Sequence, residues 1–136
     1  MCIRDRRHTT NSEFDVSKLD TLPRVDIIYS HVDDDRVMAD AAVAAGAKGI
    51  IHAGTGNGSI ANPTMEGLKD AVAKGVVVVR SARVPNGATT VSLPMWTKAG
   101  FLESDTLNPQ KARLLLQLAL TKTQDPKEIQ RMFDQY

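Results

Sequence analysis

Val76-Val77-Val78-Val79, set between Gly75 and Arg80, limits what this chain can become more than any other stretch. A strand with one wet face alternates apolar and polar residues, whereas four β-branched residues in a row need cover on both sides. That places the run inside a parallel sheet flanked by helices. Val25-Asp26-Ile27-Ile28-Tyr29 and Ala47 to Ala53 read as two further strands. Between them Arg36 to Ala45 is alanine-rich and helical, and Gly46 stops it. Asn62-Pro63 offers a cap and a first helical position for a helix that runs to about Lys74 and ends at Gly75. Asn108-Pro109 starts the strongest helix, with Ala112, Leu115, Leu116, Ala119 and Leu120 at helical spacing. Asp125-Pro126 starts the last, with Ile129, Met132 and Phe133 on one face. Arg80 to Thr90 reads as a loop with a Pro85-Asn86-Gly87 turn, and Val91 to Phe101 as irregular chain. Three strand–helix alternations closed by two helices predict a small three-layer α/β domain with a parallel, flavodoxin-like or Rossmann-like sheet.

At 136 residues this is one domain, large enough to bury a core without staples. Seventeen basic and sixteen acidic side chains leave a net charge of +1, which gives no electrostatic case for nucleic acid or an anionic membrane. The single Cys2 excludes an internal disulfide and a cysteine-based zinc site. No apolar run reaches the ~20 residues of a spanning helix. Residues 1–7 are basic without an apolar core behind them, so they are not a signal peptide and read as a foreign head. Arg7 to Thr21 is polar and turn-rich, a linker or extended arm.

The second strand runs into Gly54-Thr55-Gly56-Asn57-Gly58-Ser59, with glycine at every second position. Loops at the carboxyl ends of strands are where α/β sheets bind ligands, so Asn57 and Ser59 are candidate ligand contacts. The loop fits neither phosphate motif: Ser59-Ile60 stands where a P-loop needs Lys-Ser/Thr, and G-x-G-x-G is not G-x-G-x-x-G opening into a helix. Two readings stay open, a small polar ligand or glycines that only let backbone segments cross. His31 with Asp33, Asp34 and Asp35 imitates a metal cluster, but consecutive acids point apart. They read as a capped helix start, and no metal site is assigned. His52, inside a strand, reads as a satisfied structural histidine. Arg80, Ser81 and Arg83 could bind an anion or pair with carboxylates at a domain or subunit contact; the second reading is preferred. The Leu114–Leu120 stripe is core or subunit interface, not a cofactor box. Thr55, Ser59, Ser81, Thr89 and Thr90 are hydroxyls with no evident base, so no catalytic residue is assigned.

Four stretches together resemble a known family: Ala53-Gly54-Thr55-Gly56-Asn57-Gly58-Ser59, Val79-Arg80-Ser81, Val84-Pro85-Asn86-Gly87-Ala88-Thr89-Thr90, and Thr106-Leu107-Asn108-Pro109-Gln110-Lys111-Ala112-Arg113. They are similar to the C-terminal domain of type II bacterial L-asparaginases and glutaminase-asparaginases. Arg7-His8-Thr9, Asn11 to Asp15 and the ending Asp125 to Tyr136 resemble the same family. The resemblance implies a larger two-domain, homotetrameric, periplasmic enzyme. It would hydrolyse the side-chain amide of asparagine, and often glutamine, without metal or organic cofactor. It also implies that the nucleophile lies in an N-terminal domain, whose Thr-Gly-Gly-Thr-Ile and Thr-Asp-Thr stretches do not occur here. On this reading residues 1–22 are a foreign head with the remnant of that domain and the interdomain linker, Arg7 to Thr9 being its last strand. Residues 23–136 are the C-terminal domain, which completes the active site of a neighbouring subunit. By the resemblance Ser59 reaches the substrate and Asn57 supports it. The glutamate some members carry shortly after Gly-Ala-Thr-Thr is replaced by Val91-Ser92-Leu93-Pro94-Met95. The rival is a stand-alone flavodoxin-like binding or receiver domain with an acidic pocket at Asp33 to Asp35, which lacks the required strand-end aspartate because Ala53 and Arg80 stand there.

Overall fold

A computed structural model describes residues 6–136; the expected foreign head therefore lies, as far as residue 5, outside the described residues. Strands β1 (Val25–Tyr29), β2 (Gly49–Gly54), β3 (Val77–Ala82) and β4 (Leu102–Glu103) form one sheet in chain order, every neighbouring pair parallel. Parallel neighbours need a crossover, supplied by α1 (Val37–Ala44), α2 (Asn62–Ala73) and the short α3 (Pro94–Lys98). Helices α4 (Pro109–Leu120) and α5 (Pro126–Gln135) follow β4. The expected three-layer α/β architecture is the one observed.

Alternation along the strands sorts their side chains into two cores. Val25, Ile51, Val77 and Val79 pack with Leu115, Leu116, Ile129 and Phe133 of α4 and α5. Ile28, Ile50 and Val78 pack with Ala39, Ala42, Leu68, Ala71 and Trp96 of the crossover helices. The valine run is buried on both faces because one valine pair meets each layer. Asn108 and Asp125 cap α4 and α5, their side chains accepting from the Lys111 and Lys127 N–H groups. Asn62 does not cap α2: the cap position falls on Ala61, which makes no side-chain bond, and Asn62 opens the helix one residue before Pro63. Close approach of α1 and α2 leaves no room at Gly67, where a Cβ would lie 2.7 Å from Arg36 Cβ.

Three expectations are corrected. Strand β3 continues through Arg80 and Ser81 rather than breaking into a loop, because Arg80 finds partners that let it stay in the sheet. The irregular stretch after Thr90 holds α3 and is followed directly by the two-residue β4, which pairs Leu102 and Glu103 with Val79 and Arg80. Arg7 to Thr9 forms no strand. His8 is extended and Thr9–Asn11 is a 3-10 turn. This arm lies against α5, with the Arg7 N–H donating to the Gln135 carbonyl at 3.0 Å. Glu13 pairs with Arg131 at 2.9 Å, and the Phe14 and Tyr136 rings meet at 5.1 Å. The Glu13 carboxyl is held below its ordinary value chiefly by its bond to Arg131.

Candidate functional site

The glycine loop leaves β2 and turns back at once. The Ser59 N–H donates to the Thr55 carbonyl at 2.8 Å, and the two residues form an isolated antiparallel bridge. The return passes so near Gly54 that a Cβ there would overlap the Ser59 carbonyl oxygen and lie 2.6 Å from the Gly58 carbonyl carbon. These are backbone atoms that cannot step aside. Gly54→Ala is therefore expected to open the loop at a cost of about 1–3 kcal/mol, read as a lower urea midpoint with faster amide exchange over residues 55–59. An unchanged exchange pattern would contradict the packing.

Two anchors hold the loop from beneath. The Asn57 carboxamide grips the 84–90 segment: its Oδ1 accepts from the Thr90 N–H at 2.8 Å and its Nδ2 donates to Thr90 Oγ1 at 3.0 Å. Arg80, with no exposed surface, lies under the loop's main chain. Its Nη2 donates to the Asn57 carbonyl at 2.6 Å and its Nε to the Gly58 carbonyl at 3.2 Å. Its Nη1 pairs with Glu103 Oε1 at 2.7 Å, and its guanidinium carbon sits 3.6 Å from the Trp96 ring centre. A planar fork with five donors and an apolar face suits this position, and an ammonium would not. Burial pushes the Arg80 guanidinium down and the Glu103 carboxyl up, each against the pull of its partner. The preferred reading, pairing with a carboxylate at a domain or subunit contact, is thus corrected for Arg80 in its location: the carboxylate is there, but inside the same domain. Ser81 is likewise turned inward, its hydroxyl donating to the Leu107 carbonyl at 3.1 Å. Exposed Arg83 donates to the Ser30 carbonyl at 2.8 Å.

Ser59 is exposed, and its hydroxyl bonds to no described residue. Asn57 is half-buried and committed to Thr90. Among the described residues the loop therefore offers two exposed hydroxyls without a hydrogen bond, Thr55 and Ser59, and Ser59 is the one the sequence reading singled out. Among the described residues, none of the five candidate hydroxyls bonds to a histidine or a carboxylate. Thr89, for example, is buried among Ser104 Oγ at 3.2 Å and the carbonyls of Arg80 and Asp105. No nucleophile–base pair is assembled here.

The acidic helix start divides its labour. Asp35 Oδ1 accepts from the Val37 N–H at 2.8 Å, one residue ahead of the cap position, which falls on Arg36 and makes no side-chain cap bond. Asp34 instead turns inward, its carboxylate buried 3.7 Å from His52 Nε2 and 3.8 Å from His31 Nε2. Among the described residues, both His52 ring nitrogens and Asp34 Oδ2 lack a hydrogen-bond partner, so the histidine is structural without being satisfied. Burial lowers its pKa to about 4, outweighing the nearby Asp34 charge. Among the described residues no group of three or more His, Cys, Asp or Glu side chains is gathered to hold a metal, and no helix is long and apolar enough to cross a membrane.

Residues 24–133 match the family model described as the glutaminase/asparaginase C-terminal domain. This chain belongs to that family. It is 53% identical over 131 residues to L-asparaginase 2 of Bacillus subtilis and 51% over 132 residues to L-asparaginase 2 of Escherichia coli. It is 43% identical over 133 residues to a glutaminase-asparaginase of Pseudomonas fluorescens. Each match takes in 96% of the chain but only 35%, 38% and 37% of those relatives, so the chain spans about a third of their length. A relative from Haemophilus influenzae, 48% identical, is named as a periplasmic L-asparaginase. The family match covers both cores, the glycine loop and the Arg80 anchor. Sequence reasoning missed that anchor, although a lone arginine following four valines, with an acid 23 residues later, was the visible trace of it.

Proposed function

We propose that this domain serves an amidohydrolase that converts L-asparagine, and L-glutamine as a second substrate, to the acid and ammonia. Its part is to complete the active site of a neighbouring subunit. Ser59 contacts the substrate there, and Asn57 acts behind it by fixing the loop to Thr90. The reading places the nucleophile in an N-terminal domain, the working enzyme in a homotetramer, and the site of action in the periplasm. Residues 1–22 then hold the remnant of that domain and the interdomain linker, and residues 23–136 form the folded unit. The observation that carries the proposal is an exposed serine on a doubly anchored loop, its hydroxyl without a partner among the described residues, within a sequence matched to the asparaginase C-terminal domain.

A chimera tests it: residues 7–136 in place of the corresponding domain of the Escherichia coli relative. The chimera is expected to release ammonia from asparagine, and the 136-residue chain alone to release none. Turnover by the pure chain would refute the half-site. In the chimera Ser59→Ala should lower kcat/KM by an amount equivalent to one polar contact, about 1 kcal/mol. Identical kinetics would reduce Ser59 to a structural residue.

A further inference from the structure

The chain holds two Asn-Gly pairs, Asn57-Gly58 and Asn86-Gly87. In such a pair the glycine nitrogen lies beside the asparagine side-chain carbonyl, with no Cβ to hold it away. Attack of that nitrogen on the carbonyl carbon forms a five-membered imide. The bond from that carbon to the amide nitrogen breaks, and ammonia leaves carrying the proton from the glycine N–H. One water then opens the imide at either carbonyl, giving aspartate or its isomer linked through the side chain. Closure needs a side chain free to swing and space around the glycine.

The fold gives the two pairs opposite surroundings. Asn57 is tied through both ends of its carboxamide to Thr90, and its own carbonyl is held by Arg80. Gly58 is crowded: a Cβ there would lie 3.0 Å from the Ser81 carbonyl oxygen and 3.1 Å from Thr89 Cγ2. Asn86 is exposed and its carboxamide bonds to no described residue. A Cβ on Gly87, whose φ is +115°, would meet nothing within 4 Å. The pair opens onto a cleft of about 330 Å³ that Asp105 and Thr106 also line.

We propose that Asn86 is a site of spontaneous deamidation, converted by water alone, while Asn57 keeps its amide because Thr90 and Arg80 hold it. The product places a carboxylate in the cleft that Asp105 lines. In its isomeric form it also adds one carbon to the main chain ahead of Thr90, the residue that anchors the glycine loop.

The test holds the purified folded chain in mildly alkaline buffer and follows both peptides by mass spectrometry, with isoaspartyl methyltransferase labelling to detect the isomer. The Asn86 peptide is expected to convert with both products. The Asn57 peptide should lag at least about tenfold, since its side chain must first give up more than one hydrogen bond. Asn86→Gln should remove the labelling, and Thr90→Val should speed Asn57 several-fold while leaving Asn86 unchanged. An Asn86 that stays intact while the urea-unfolded chain converts would overturn the proposal. So would equal rates at the two sites, labelling that survives Asn86→Gln, or an Asn57 rate indifferent to Thr90→Val.

Discussion

Arg80→Ala is expected to remove about 3–5 kcal/mol of stability, the usual loss when one member of a buried ion pair is deleted and the other charge is left behind. Set against a typical total of about 5–15 kcal/mol, that takes a fifth of the stability or more. The cost does not come from an exceptionally favourable pair. Burial moves both the Arg80 and the Glu103 groups toward their neutral forms despite the 2.7 Å contact, so the pair is kept close to balance. The loss comes from the stranded Glu103, whose Oε2 already has no hydrogen-bond partner among the described residues, and from the two loop carbonyls that lose a donor. A second variant separates these causes. Arg80→Met with Glu103→Leu removes both charges and should recover much of the stability, yet it still leaves the Asn57 and Gly58 carbonyls without a donor. Urea midpoints should therefore rise between the single and the double variant, while amide exchange over Gly56–Ser59 stays fast in both. A loss below about 1 kcal/mol in the single variant would refute the anchor.

The second large effect is an acid limb set by His52. Its folded pKa of about 4 lies below the ordinary 6.5, so between those values the unfolded chain binds the proton more readily. The stabilisation is complete above pH 6.5 and is lost as pH falls from 6.5 to 4. At about 1.4 kcal/mol for each pH unit, the total is about 3 kcal/mol. The groups facing the ring explain the sign: burial disfavours its charge most, Asp34 favours it, and Arg80 across the β2–β3 pairing disfavours it. Glu103 acts in the opposite sense, since a raised carboxyl pKa favours the folded state as pH falls through that range. Glu13, Asp15 and Asp40 are lowered and lose their contributions only below the ordinary carboxylate range. Between about pH 6.5 and 4 the histidine's loss is therefore partly offset by Glu103, and a His52 variant separates the two. His52→Asn should flatten the pH dependence of the urea midpoint there, and an equally steep slope in that variant would show that another group carries it.

What was legible in the sequence is what local periodicity encodes. β1 falls on Val25–Tyr29 as read, because Ile and Val alternate faces there, and α4 and α5 start at the Asn-Pro and Asp-Pro signals that cap them. The end of β3 was not legible. A charged residue after an apolar run reads as solvent-facing, and nothing near Arg80 announces that its carboxylate, its aromatic neighbour and its carbonyl acceptors come from three other segments. β4 escaped for a related reason, since two residues carry no period. The candidate site divides the same way. The glycine spacing told where the chain must double back, and Ser59 is exposed there; that Asn57 is spent on Thr90 depended on a neighbour 33 residues away.

The strands follow one another across the sheet, yet the cover for one of its faces comes from the last two helices. During synthesis each new strand can dock beside the previous one as it emerges, but the cover over Val25, Ile51, Val77 and Val79 begins only with α4 and is finished only by Phe133 of α5. A nascent or clipped chain stopping short of α4 would carry a bare greasy floor. Its maturation is therefore governed less by the order of strands than by the arrival of its final 28 residues.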